Sequence, residues 1–135
     1  MSEDLTFDVI LSQPERATSR KRCGTVREVE DFVGEMQPDS VLDVQALMGD
    51  QDIGNFVLFY GSEFAHVRLL LDQAYAAEDP KRTGCQGPFV ELKDDDGSVF
   101  SLTPARVLER ERALSAFAYW LRSQQKDPGL EWKME

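Results

Sequence analysis

Leu5, Phe7, Val9 and Leu11 alternate with polar residues, Ile10 being the exception. A period of two predicts a half-buried strand. Ser12 to Gly24 has a proline, four basic residues and little apolar content, and reads as a loop. Thr25 followed three residues later by Glu28 has the form of a capping box. Val26, Val29, Phe32, Val33 and Met36 then fall at helical spacing. A helix from Val26 to Met36, ending before Pro38, is expected. Leu42, Val44, Ala46 and Met48 alternate again, and Gly49 to Asn55 supplies turn residues. Phe56 to Tyr60 is an aromatic-rich apolar run too short for a helix. Gly61-Ser62 breaks it, and Phe64 to Leu71 resumes.

Ala76 to Pro88, with Pro80, Gly84 and Gly87, reads as a long loop. Phe89–Lys93 and Ser98–Leu102 flank Asp94-Asp95-Asp96-Gly97, a hairpin signal. Thr103 is an N-cap candidate with Pro104 at the first helical position. Val107, Leu114, Phe117, Ala118 and Leu121 form one apolar stripe, which predicts a helix from Pro104 to Ser123. Asp127-Pro128-Gly129 stops it, and Leu130 to Met134 alternates as a last strand. Consecutive strands joined by tight turns point to an α+β fold. Its largely antiparallel sheet would have five to seven strands, with two main helices packed on it. A parallel pairing of the last strand, and so a mixed sheet, stays open.

The 135 residues suit one domain, 1–135, able to bury its own core. No apolar run approaches a membrane span; the longest, Val67–Leu71, is broken by Arg68. The acidic start, Met-Ser-Glu-Asp-Leu, lacks the form of a secretion leader, and Cys23 and Cys85 are isolated. Both point to a cytoplasmic chain with reduced thiols. Charge changes the picture more. From Glu28 to Val67 there are nine carboxylates and no Lys or Arg, in a chain of net charge −10. A block of one sign attracts basic partners and repels nucleic acid and anionic lipid, so neither nucleic acid nor membrane is an expected partner.

Catalytic chemistry finds little support. His66 is the only histidine and so the only available base for a Ser-His or Cys-His pair; its apolar strand setting suits a structural role. Three Cys and His residues in all, far apart, do not make a zinc site or a zinc-deaminase signature. Asp94-Asp95-Asp96-Gly97 echoes a calcium loop, but the twelfth position is Thr103 where the bidentate Glu belongs. Asp50, Asp52 and Glu63 are the one carboxylate set to weigh for magnesium, in a chain without a phosphate-binding glycine loop. No enzyme activity, cofactor, metal or small-molecule substrate is expected. Arg16, Arg20, Lys21 and Arg22 lack interleaved aromatics and do not form a stacking platform for bases. Trp120 and Trp132 read as core residues before contact residues.

The segment from Leu102-Thr103-Pro104-Ala105 through Ala113, Leu114 and Phe117 to Lys126-Asp127-Pro128-Gly129-Leu130-Glu131-Trp132-Lys133-Met134-Glu135 resembles immunity protein family one. These bacterial proteins neutralise polymorphic toxins, often deaminases. The resemblance rests on Ala113, Phe117, Pro128, Trp132 and Glu135 and covers the last quarter to third of the chain. It implies a protein that occludes a cognate toxin domain. Turn and loop acids are the expected contacts: Asp50, Asp52, Glu63, Asp94, Asp95 and Asp96, with Tyr60 and Phe59 as candidate apolar anchors. An acidic interaction module, adaptor or nucleic-acid mimic is the other class.

Overall fold

A computed structural model describes Asp4–Glu135. Within those residues the chain folds as strands β1 (Leu5–Ser12) and β2 (Ser19–Cys23), helix α1 (Val26–Val33), and strands β3 (Ser40–Met48), β4 (Gln51–Tyr60), β5 (Phe64–Leu70), β6 (Ala74–Glu78), β7 (Val90–Lys93), β8 (Val99–Leu102) and β9 (Leu108–Glu109). Helix α2 (Arg110–Ser123) and strand β10 (Glu131–Met134) complete it. Eight strands make one sheet in the order β10-β6-β5-β4-β3-β1-β2, with β9 also paired to β5; β7 and β8 form a separate hairpin. The fold is α+β, as the strand and helix periods predict. Every ladder is antiparallel, β10 on β6 included, with Trp132 opposite Ala77, so the sheet is not mixed.

Three segments expected to be loop or turn are strand in part: β2, the residues of β6 from Ala76 to Glu78, and the first half of β4 from Gln51 to Asn55. β2, Ser-Arg-Lys-Arg-Cys, buries only Cys23. Its pairing with β1, from Phe7 opposite Cys23 to Leu11 opposite Ser19, makes it extended without an apolar period of its own. β6 is alanine-rich, a weak strand signal, and is held between β5 and β10. Both expected helices form with shifted ends. α1 starts at the Thr25 cap, whose Oγ1 accepts from Glu28 N at 3.1 Å. It stops at Gly34, where φ is +58°, short of Met36.

α2 begins six residues later than the Thr103-Pro104 signal indicates. Pro104–Arg106 is a 3₁₀ turn without a Thr103 side-chain cap, and Val107 is extended. The cause is burial on two sides. Val107 enters the apolar cluster under the hairpin, and Leu108 enters the main core beneath the helices. Adjacent residues face opposite ways only in extended backbone.

Alternation along the strands divides the interior. Phe7, Val9, Leu42, Val44, Phe56, Leu58, Val67 and Leu69 face the helices and meet Val29, Phe117, Trp120 and Leu121. Val41 and Phe59 face the other way, where Leu92, Phe100 and Leu102 of the hairpin cover them. The hairpin therefore lies against the sheet surface opposite the helices. Its base is near Phe64. Its turn reaches Asp39, which Lys93 approaches at 3.6 Å.

Candidate functional site

The hairpin is the element that gives this sheet face its chemistry. Asp-Gly turn residues set it: Gly97 sits at φ +84°, Gly97 N donates to Asp94 O at 3.0 Å, and Asp94 N donates to Ser98 O at 2.8 Å. Two of the three aspartates shape the turn. Asp94 Oδ1 accepts from Asp95 N, and Asp96 Oδ1 accepts from the backbone N and Oγ of Ser98 at 2.9 and 2.6 Å. The Ser98 bonds hold the Asp96 carboxyl below its ordinary range. All three are exposed.

Beneath the turn lies Asp43 of β3, half-buried, accepting from Asn55 Nδ2 at 2.7 Å. Burial pushes its carboxyl up despite that bond, and the charges of Asp95 and Asp8 add to the shift. Asp39, Asp43 and the turn thus concentrate negative charge on one side of the sheet. Asp8 on the same face is neutralised by the fork of Arg20, at 3.2 and 2.6 Å. That bond is the main reason the Asp8 carboxyl lies below its ordinary value. It also gives the basic group of β2 a role within the fold.

Beside the hairpin is an open cleft of about 460 Å³ lined by Phe59, His66, Arg68, Asp94, Phe100, Leu102, Arg106 and Glu135. His66 is only 4% exposed. Its ring is stacked 5.9 Å from Phe59 and edge-on to Phe100 at 6.3 Å. Nδ1 lies 3.3 Å from Arg106 O, to which the neutral imidazole donates. Burial lowers its pKa to about 4, against a smaller upward pull from that carbonyl. His66 therefore joins β5 to the segment before β9 as an uncharged group. Neither thiol lines this cleft: Cys23 is in the main core, and Cys85 lines a groove at the hairpin base. Arg68 closes one wall through a two-pronged bond to Glu135, at 3.1 and 2.6 Å, which holds the Glu135 carboxyl low.

The acids expected as contacts do not form one surface. Asp50 is in the β3–β4 turn and Asp52 is the second residue of β4, where its Oδ1 accepts from Gly54 N at 2.9 Å. Glu63 is in the β4–β5 turn. The ten residues of β4 separate those two ends, about 30 Å at strand rise. A magnesium site needing all three carboxylates is not formed. Among the described residues no group of three or more His, Cys, Asp or Glu is placed to hold a metal. Glu63 instead lines the groove at the hairpin base. Tyr60 is 9% exposed and faces the helices, 5.0 Å from the Arg110 guanidinium. Phe59 is buried under Phe100. Both serve packing, which removes them as surface anchors in this conformation.

Sequence reading missed the grouping of Phe59, His66, Phe100 and Arg106. The hairpin signal was legible, but no local pattern says which sheet face a hairpin will cover. Trp120 is a core residue, within 6.2 Å of Phe7 and 5.5 Å of Phe56. Trp132 is half-buried, its Nε1 donating to Asp127 O at 3.0 Å. No helix among the described residues is long and apolar enough to cross a membrane. Compared with known proteins, the chain matches no family model and no curated sequence.

Proposed function

We propose that this chain is an immunity-type inhibitor that binds a cognate toxin domain and occludes its active site. The toxin would be a deaminase or another enzyme acting on nucleic acid. The observation that carries the reading is the acidic hairpin turn, Asp94-Asp95-Asp96, seated over Asp39 and Asp43 on one sheet face. A toxin that works on nucleic acid needs a basic cleft for phosphates. An exposed, negatively charged turn complements such a cleft and speeds association with it. The C-terminal resemblance supports the reading through residues of the fold: Ala113 and Phe117 are buried, and Trp132 is pinned to Asp127. Inhibition by occlusion asks no catalysis of this chain, and a cytoplasmic location is part of the same proposal.

The test is co-expression with the toxin-domain gene lying beside this chain's gene, reading co-purification and cell survival. A tight one-to-one complex with rescued growth is expected. Neither complex nor rescue with any neighbouring gene product overturns the proposal. Salt-sensitive binding to several unrelated basic proteins would favour a general acidic interaction module instead.

A further inference from the structure

The two free edges of the eight-stranded sheet differ in what they would do to a second copy. β10 is one edge and β2 the other. On its inner side β10 pairs with β6, from Glu131 opposite Glu78 to Met134 opposite Tyr75, and Glu135 N continues the ladder to Ala74 O at 3.0 Å. Hydrogen bonding alternates along an antiparallel strand. Glu135, Lys133 and Glu131 thus direct their backbone groups to β6, and Trp132 and Met134 direct theirs outwards. Among the described residues nothing pairs with that outer side. Met134 is 62% exposed beside the half-buried Trp132, whereas Leu130 is buried in the main core.

We propose that β10 is a self-pairing edge that joins two copies of this chain through a two-fold axis at Trp132. Trp132 exchanges its outward N–H and C=O with its own copy. Glu131 then lies opposite Lys133 of the second copy, twice over. Met134 lies opposite the backbone of Leu130 of the second copy, whose side chain stays in its own core. Opposite charges directly across a strand pair stabilise it, and like charges destabilise it. The same operation on β2, centred on Lys21, sets Arg20 against Arg22 and is repelled. That edge is guarded by its charges, whereas the charges of β10 match themselves. A two-fold axis normal to the sheet leaves both hairpin faces on one side and uncovered. The contact is short and belongs with small, reversible interfaces. It is independent of the toxin-inhibitor reading.

Sedimentation equilibrium from about 10 μM to 1 mM covers the range expected of a weak contact. The wild-type chain is expected to move from monomer towards dimer mass. Glu131→Lys or Lys133→Glu alone places like charges across both pairs and weakens association about tenfold. The double exchange Glu131→Lys with Lys133→Glu restores it, and a mixture of the two single variants associates with each other. Circular dichroism checks that each variant is folded. A wild-type chain at monomer mass throughout, or single reversals that associate as well as wild type, overturns the proposal.

Discussion

Arg112 of α2 donates Nη1 to Asp127 Oδ2 at 2.8 Å, tying the helix to the turn that launches β10. The other carboxylate oxygen accepts from Gly129 N at 2.8 Å, and the Asp127 carbonyl takes the Trp132 indole proton at 3.0 Å. One residue thereby fixes a helix, a turn and a strand. Arg112 is the main reason the Asp127 carboxyl lies below its ordinary value. A depressed carboxyl contributes stability that is present above its unfolded pKa and is lost as pH falls through the folded one. Asp127→Asn should lower unfolding free energy by about 1.5–3 kcal/mol, as expected for a charge-assisted bond. It should also reduce the loss of stability below about pH 4, where ordinary Asp carboxyls titrate. Urea melts at pH 7 and pH 3 check both effects.

His66 gives a second pH effect in a higher window. Its pKa falls from the ordinary 6.5 to about 4 in the folded chain. The unfolded chain takes up the proton first. Stability from the neutral imidazole is therefore complete above pH 6.5 and declines as pH drops towards 4. The slope is about 1.4 kcal/mol per pH unit, or about 3 kcal/mol in all. His66→Gln keeps a donor for Arg106 O and removes the titration. The difference in stability between the two proteins should shrink with falling pH across this window. A constant difference would show that His66 titrates normally.

Ser40 offers the opposite kind of change. It is fully buried, and its Oγ has no hydrogen-bond partner among the described residues. An unpaired buried hydroxyl costs about 1–3 kcal/mol. Ser40→Ala should therefore leave stability unchanged or raise it by about 1 kcal/mol, because removing the hydroxyl removes that cost. A lower melting temperature would mean that the hydroxyl is satisfied in solution.

Gly61 is the seat of the hairpin. A Cβ there would stand 2.6 Å from Leu92 Cδ2 and 2.7 Å from the backbone oxygen of Phe64. The second obstacle is main chain, so the clash cannot be relieved by a rotamer change. Gly61→Ala should cost about 1–3 kcal/mol through overpacking. The loss should appear first as faster amide exchange in the hairpin, with the helices unaffected.

For function, the turn and the far end of the sheet make a matched pair. If the chain has the proposed function, reversing Asp94, Asp95 and Asp96 to Lys should slow association with the proposed toxin partner by about tenfold or more at low salt. Reversing Asp50 and Asp52, about 30 Å along β4 from Glu63, should change the rate much less. Stopped-flow rates at two salt concentrations decide. Equal effects from both sets would mean that the turn is not the leading contact.

Much of this architecture was legible because it is local. The Asp-Gly turn, the Thr25 cap and the alternation of Leu42 to Met48 are written within a few residues. β2 was illegible because an edge strand made of Arg, Lys and Ser carries no period; its partner supplies the order. α2 was misread at its start because Pro104 fits a 3₁₀ turn as well as a helix, and only tertiary burial pulls Val107 and Leu108 to opposite sides. The acidic block was legible as composition and misleading as geometry. Asp43 faces the hairpin, while Asp50 and Glu63 mark opposite ends of a strand. The His66 cleft joins residues forty positions apart, held by an Arg106 carbonyl that has no sequence signature.

The central sheet also works as a partition. Val41 and Phe59 belong to the apolar cluster on one side and Leu42 and Leu58 to that on the other, and among the described residues no side chain belongs to both. The hairpin can therefore drift in sequence, lengthen or exchange its turn residues while the helix-side interior keeps its packing unchanged. The sheet thereby divides one chain into two compartments, so that a change in the hairpin turn leaves the packing around Trp120 in place.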